Sequence, residues 1–243
     1  MNTNDVVQTS RRDFLLMTGT ALAGVVLARG VQGAEPGMKI GIVGSGRVGG
    51  ALGAIWLKAG HEVMFSSLDL EQDKALAARL GGKARAGTTR EAAAFGEALL
   101  IAVPYAALPK LGKDLADLIK GKVVLDTCNP ITGRDGDIAV WARDKGAGLA
   151  SAELLPGARL VRAFNAVGAA RLPEAANSKE RIGMPIAGDD AAAIAIASRL
   201  VRDVGFEPVL VGGLAMGKHL IPGTPLAGEH APEKLRQVAA TLK

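Results

Sequence analysis

The segment Gly44-Ser45-Gly46-Arg47-Val48-Gly49 constrains this chain more than any other. It directly follows the apolar run Lys39–Val43, and apolar residues then recur at helical spacing from Val48 to Ala59 before Gly60. In a strand–turn–helix of this kind, the first glycine permits the tight turn and the second lets a ligand approach the backbone. The third lets the helix pack against the strand. The unpaired amides and positive dipole end of that helix then suit a diphosphate. A bare G-x-G-x-x-G means little in a chain with 32 glycines; its place between a strand and a helix gives it weight.

Further along, short apolar runs alternate with helical patterns. The runs Glu62–Ser66, Ala84–Ala86, Leu99–Val103, Val123–Asp126, Leu160–Phe164, Ile182–Ala187 and Pro208–Val211 read as strands. Thr88-Thr89-Arg90-Glu91 has the form of a capping box, opening a helix that ends near Gly96. Asp189-Asp190 begins an Ala-rich helix that stops at Gly205, and Pro232 opens the last one. The pattern predicts an α/β fold: a doubly wound, mostly parallel sheet forming a single domain over residues 35–243. Its two halves are expected to meet near the Leu99 and Val123 strands. Only about fifty residues follow Gly188, too few for a second, all-helical catalytic domain.

Composition removes several function classes. With 49% hydrophobic and 22% charged residues the chain is too apolar for disorder. A net charge of +5, 3% aromatics and no basic run argue against nucleic-acid binding. The single cysteine, Cys128, cannot form an internal disulfide, and it reads as a buried filler rather than a nucleophile. His61, His219 and His230 lack the spacing of a zinc site, so no metal is expected.

Residues 1–34 read as an export signal. Ser10-Arg11-Arg12-Asp13-Phe14-Leu15-Leu16 has the twin-arginine pattern, and an uncharged stretch runs on to Ala28. That stretch spans ~22 Å as a helix, short of the ~30 Å bilayer core, so no permanent membrane span is expected. The mature protein would be periplasmic or otherwise exported already folded, with the export machinery as a partner. Cleavage after Gly30 or Gly33 stays open.

Open α/β sheets bind ligands at the carboxyl ends of their strands. At the end of the second strand, Ser66-Ser67 stands where an acidic residue would bind a ribose 2′-hydroxyl. Two hydroxyls could instead donate to a 2′-phosphate, which favours NADP; Asp69, two residues on, keeps NAD open. Val103 and Pro104 end the fourth strand, Asn129 and Pro130 follow the fifth, and Asn165 follows the sixth. The two asparagines could hydrogen-bond a carboxamide or the edge of a flat ring. Together with the glycine loop these segments suggest one continuous groove.

The ordered set G-S-G-R-V-G, A-V-P-Y, D-T-C-N-P, R-A-F-N and A-G-D-D, from Met38 to about Val211, resembles the NADP oxidoreductase family dependent on coenzyme F-420. That family is related to the reductase domains of six-transmembrane metal reductases. The resemblance implies a Rossmann-type domain passing a hydride between NADP and a deazaflavin. It implies that Gly44, Ser45, Gly46, Arg47, Val48 and Gly49 hold the pyrophosphate and that Ser66 and Ser67 sit at the 2′-phosphate. It further implies that Val103, Pro104, Asn129 and Pro130 line the nicotinamide pocket. Two departures stand out. Leu68 replaces an arginine common in the family, and the Gly- and Pro-rich stretch after Val211 does not match the deazaflavin-binding tail. The expected partner is therefore a small flat redox molecule, a deazaflavin by resemblance. A flavin or metal-chelate reductase, a non-catalytic NAD(P)-binding module and a homodimer remain open. Hydride transfer between stacked rings needs no acid–base dyad, so no catalytic residue is assigned.

Overall fold

The computed structural model describes residues 36–242; the export signal read at residues 1–34 lies outside them. The described residues form one sheet of β1 (Lys39–Val43), β2 (Glu62–Ser66), β3 (Ala84–Ala86), β4 (Ala98–Ile101), β5 (Val123–Asp126), β6 (Arg159–Arg162), β7 (Gly183–Gly188) and β8 (Glu207–Gly212). The helices are α1 (Arg47–Lys58), α2 (Leu70–Leu80), α3 (Thr89–Phe95), α4 (Leu108–Asp114), α5 (Ala116–Ile119) and α6 (Thr132–Asp135). They continue with α7 (Asp137–Lys145), α8 (Ala147–Leu154), α9 (Leu172–Ala176), α10 (Ala191–Val204) and α11 (Pro232–Ala240).

The strand order is β3-β2-β1-β4-β5-β6-β7-β8. The expected doubly wound sheet is present, but the order reverses between β1 and β4, one strand earlier than the Leu99–Val123 position read from sequence. β1 to β6 are parallel, whereas β7 runs antiparallel to β6, with Arg162 opposite Ala187. β4 and β5 are buried at every position, as strands covered on both faces must be. Alternate residues feed two cores. Ile40, Ile42, Leu100 and Leu125 join Trp56 and Phe65 on one face. Val43, Leu99, Ile101 and Val124 join Tyr105 and Leu108 on the other.

Two strands end earlier than expected. β4 stops at Ile101, although the Ala102 amide still donates to Val43 O (2.8 Å), so Val103 has already left the ladder. β6 stops at Arg162 because Phe164 takes φ +62°, a left-handed conformation that no extended strand contains.

Helix ends follow local chemistry. Thr88 and Glu91 make the reciprocal capping box of α3, and Asp69 and Asp190 cap α2 and α10. Gly205 closes α10 at φ +110°. The Trp56 indole donates to Leu200 O at 2.9 Å and ties α1 to α10. Buried His61 accepts from the Met38 amide on Nδ1 and donates from Nε2 to Asp203, 3.0 Å each.

Candidate nucleotide and redox site

The glycine loop lies between the carboxyl ends of β1 and β2. The Gly44 and Ser45 amides both donate to Ser66 O, at 2.8 and 3.1 Å, which turns the chain sharply off β1. Gly44 needs its φ of +99°, and a Cβ on Gly49 would lie 2.1 Å from Gly44 O. Gly46 differs: a Cβ there meets nothing within 4 Å. Its glycine is thus not required by the fold, and the space above it is open to a ligand.

α1 begins at this loop without a side-chain cap and without an acidic residue in its first turn. α2 and α10, of comparable length, are both capped by aspartates. Uncapped first-turn amides at the carboxyl rim of a parallel sheet make an anion socket. Arg47 and Val48 open the helix there, with Arg47 exposed.

At the end of β2 the serines are held otherwise than expected. The buried Ser66 hydroxyl donates to Ile42 O at 2.7 Å, inside the sheet. The Ser67 hydroxyl donates to Asp73 Oδ2 at 2.9 Å and accepts from the Asp69 amide at 3.1 Å. Ser45 donates to Asp73 Oδ1. Protein acceptors thus hold the hydroxyl protons of Ser66 and Ser67, the pair that the sequence reading turned toward a 2′-phosphate. Leu68 is fully exposed beside them. Asp73, 0% exposed, is a site residue that sequence reading missed. Its clue was helical spacing: Asp73 and Ala77, four apart, are the two buried residues of α2.

The other half of the rim is a polar clasp. Asn129 Nδ2 donates to Asn165 O at 2.9 Å, and Asn165 Nδ2 donates to Asn129 Oδ1 at 3.4 Å. Asn165 Oδ1 is buried without a partner. The left-handed Phe164 directly precedes it, so a strained backbone sets its direction. Arg134 donates to Asn129 O (2.9 Å) and Arg143 to Pro130 O (3.0 Å), fixing this turn from outside. Val103 is half-buried, Pro104 is exposed, and Pro130 is buried.

Beneath the clasp lies an ion pair that the sequence reading did not single out. Arg162 and Asp126, both 0% exposed, meet at 2.6 Å. The same guanidinium donates to Cys128 O (3.1 Å) and Asn129 Oδ1 (3.3 Å), while Asp126 accepts from the Cys128 amide at 2.8 Å. The pair thus holds the 128–129 turn to the ends of β5 and β6. Two charges inside apolar runs, at matched register, were the available sign. Burial is the main cause pushing the Cys128 thiol well above its ordinary pKa, and it likewise raises Tyr105, whose hydroxyl lies 3.0 Å from Ser151 Oγ. Neither group is poised as a nucleophile or proton donor. The Gly- and Pro-rich tail packs here as well. A Cβ on Gly217 would lie 2.6 Å from Arg162 Cδ, and the Gly228 amide donates to Ala166 O at 2.8 Å.

The candidate groups thus follow one carboxyl rim, from the glycine loop and Ser67 through Val103 to Asn129 and Asn165. An uncapped helix end and an open Gly46 fit a dinucleotide's diphosphate, and the orphan Asn165 acceptor fits an amide N–H donor.

Comparison with known proteins agrees with this geometry. Residues 39–130 match the model of a family described as NADP oxidoreductase, coenzyme F420-dependent. The F420-dependent NADP reductase of Methanothermobacter marburgensis is 30% identical over 203 residues, 78% of this chain and 90% of that protein. That of Methanothermobacter thermautotrophicus is 28% identical over 203 residues, covering 78% of this chain and 87% of its own. Among solved structures, a putative F420-dependent NADP reductase from Arthrobacter sp. FB24 superposes with a TM-score of 0.60 at 21% identity, covering 75% of this chain and 88% of that one. At that identity the likeness speaks for the Rossmann-like fold alone.

Proposed function

The chain belongs to the coenzyme F420-dependent NADP oxidoreductase family, and from that premise we propose that it passes a hydride between NADP(H) and a flat redox partner, a deazaflavin by family likeness, laid along the sheet's carboxyl rim. It is an NAD(P)-dependent oxidoreductase, and NADP binding comes with the family. The observation that carries the rest is the leading end of α1, uncapped and without an acidic residue in its first turn, beneath a Gly46 with open space above it.

The nicotinamide supplies the hydride. The chain's part is to hold, orient and keep water out. The α1 amides take the diphosphate, and Gly46 lets it approach the backbone. Asn165 Oδ1, held by the Asn129 clasp and lacking a donor, takes an amide N–H of the carboxamide and so fixes which face of the ring is presented. Val103 and Pro104 form the apolar side against which the ring lies. No proton needs to be relayed in a hydride transfer between stacked rings.

We infer further that residues 1–34 send the folded protein across the membrane with its nucleotide already bound, since free NADPH is not expected beyond the inner membrane. The support is the Ser10-Arg11-Arg12-Asp13-Phe14-Leu15-Leu16 pattern. Mass spectrometry of protein recovered from the periplasm tests this; empty protein there overturns it.

Stopped-flow mixing of NADPH-loaded protein with a deazaflavin, a flavin and a ferric chelate tests the reaction. Fast oxidation by the deazaflavin alone is expected. Turnover with flavin or chelate alone would redirect the acceptor, and turnover with none would make the protein a binding module.

A further inference from the structure

The hydroxyl protons at the end of β2 determine what the adenosine ribose pocket can recognise. A serine hydroxyl carries one proton and two lone pairs. Ser66 commits its proton to Ile42 O, at 2.7 Å inside the sheet. Ser67 turns its proton to Asp73 Oδ2 at 2.9 Å, with Asp69 O as a second protein acceptor at 3.2 Å, and Ser45 commits its own to Asp73 Oδ1. Ser67 also accepts the Asp69 amide at 3.1 Å, which leaves it one lone pair, and Ser45 keeps two. The serines of this pocket therefore face a ligand as acceptors.

Asp73 creates this polarity. It is wholly buried in the first turn of α2, both its oxygens accept from serines, and no cation among the described residues pairs with it. Lys74, next in sequence, is paired with Glu71 at 2.8 Å. Leu68, exposed on the same edge, offers neither charge nor donor. Asp69 caps α2 with Oδ1, accepting from the Gln72 amide at 3.0 Å, and adds a second negative charge nearby.

A 2′-phosphate consists of acceptors and carries negative charge. A free ribose 2′-hydroxyl can donate. We propose that Asp73, acting through Ser45 and Ser67, makes this pocket a reader of the free ribose hydroxyl, so that the protein binds NADH more tightly than NADPH despite its NADP-binding family. Asp73 is a specificity-determining residue that works without touching the nucleotide. The proposal rests on the nucleotide reading above and deepens it at the adenosine end.

Titration of the full chain with NADH and with NADPH, each followed by calorimetry, reads the preference directly. NADH is expected to bind about tenfold tighter, the size of one hydrogen bond gained or lost. Asp73→Asn keeps the shape, removes the charge, and offers an amide that donates to one serine and so releases that serine's proton from position 73. It should shift the NADPH-to-NADH affinity ratio toward NADPH by about tenfold. Ser67→Ala, at a half-buried surface position, should weaken NADH a fewfold and leave NADPH unchanged, and it decides the matter if Asp73→Asn does not fold. Tighter NADPH binding by the wild type, or a folded Asp73→Asn with an unmoved ratio, overturns the proposal and leaves the nucleotide reading intact. No binding of either nucleotide overturns both.

Discussion

Asn129 and Asn165 join the ends of β5 and β6 through one side chain each, yet Asn165 Oδ1 is left buried with no donor. A buried acceptor without a partner carries a desolvation cost of about 1–3 kcal/mol. Replacing Asn165 by Ala removes that cost together with one long hydrogen bond. Thermal unfolding of Asn165→Ala should therefore change by less than ~1 kcal/mol, while nucleotide affinity measured by calorimetry falls about tenfold. A large loss of stability with unchanged affinity would make the clasp purely structural.

The second and third glycines of the motif should separate in the same way. Gly46 has open space at its Cβ position and an extended backbone, so Gly46→Ala should alter stability by no more than ~0.5 kcal/mol. Nucleotide affinity should nevertheless drop at least about tenfold, because the methyl group fills the path of the diphosphate. Gly49→Ala, whose Cβ would lie 2.1 Å from Gly44 O, should instead cost about 1–3 kcal/mol in urea unfolding.

Leu68 gives a test by gain. It is fully exposed and packs on nothing, so a long side chain there disturbs no core. Leu68→Arg should tighten NADPH by ~1–2 kcal/mol through a charge-assisted contact with the 2′-phosphate, with NADH little changed. Equal effects on both nucleotides would place the adenosine ribose elsewhere.

Much of this architecture was legible because local signals agree with the tertiary outcome. β1, β2, β3 and β5 fall on the residues read from sequence, each bounded by turn or helix-start chemistry, and the Thr88 and Asp190 caps lie where read. The antiparallel setting of β7 was not legible, since an apolar run such as Met184 to Ala187 looks the same in either direction. The end of β6 depended on Phe164 adopting a conformation that its side chain disfavours, which tertiary packing imposes. At the site, residue types could be read but proton directions could not. Whether Ser67 donates outward or to Asp73 depends on a helix three residues downstream folding a carboxylate beneath it. Arg162 and Asp126 were passed over because charges in apolar runs become meaningful only when register sets them opposite each other.

Tyr105 is the chain's only tyrosine, and burial holds its hydroxyl well above the ordinary value. Tyrosinate absorbance during an alkaline titration should therefore appear only as the protein unfolds, in a single cooperative step. Cys128, raised by burial and by Asp126, should resist iodoacetamide in the native state and react fully in denaturant. A tyrosine titrating near its ordinary value in folded protein, or rapid native alkylation, would contradict the packing beneath the clasp.

Asp190 links stability to pH at the far side of the sheet. The Arg159 guanidinium donates to both of its oxygens, at 2.6 and 2.9 Å, and the Ala193 amide donates to Oδ1 at 2.8 Å. These bonds, led by that from Arg159, bring its pKa from 3.8 to about 2. A carboxyl whose folded pKa is depressed stabilises the fold fully above its unfolded value, and that contribution fades as pH falls toward the folded one. At neutral pH, Asp190→Ala should therefore melt below wild type, through loss of both the α10 cap and the ion pair. The gap should narrow between about pH 4 and pH 2 as the wild-type carboxylate takes up its proton. Melting curves for both proteins across that range check this, and a gap independent of pH would mean that the charge on Asp190 contributes nothing to holding α10 against β6.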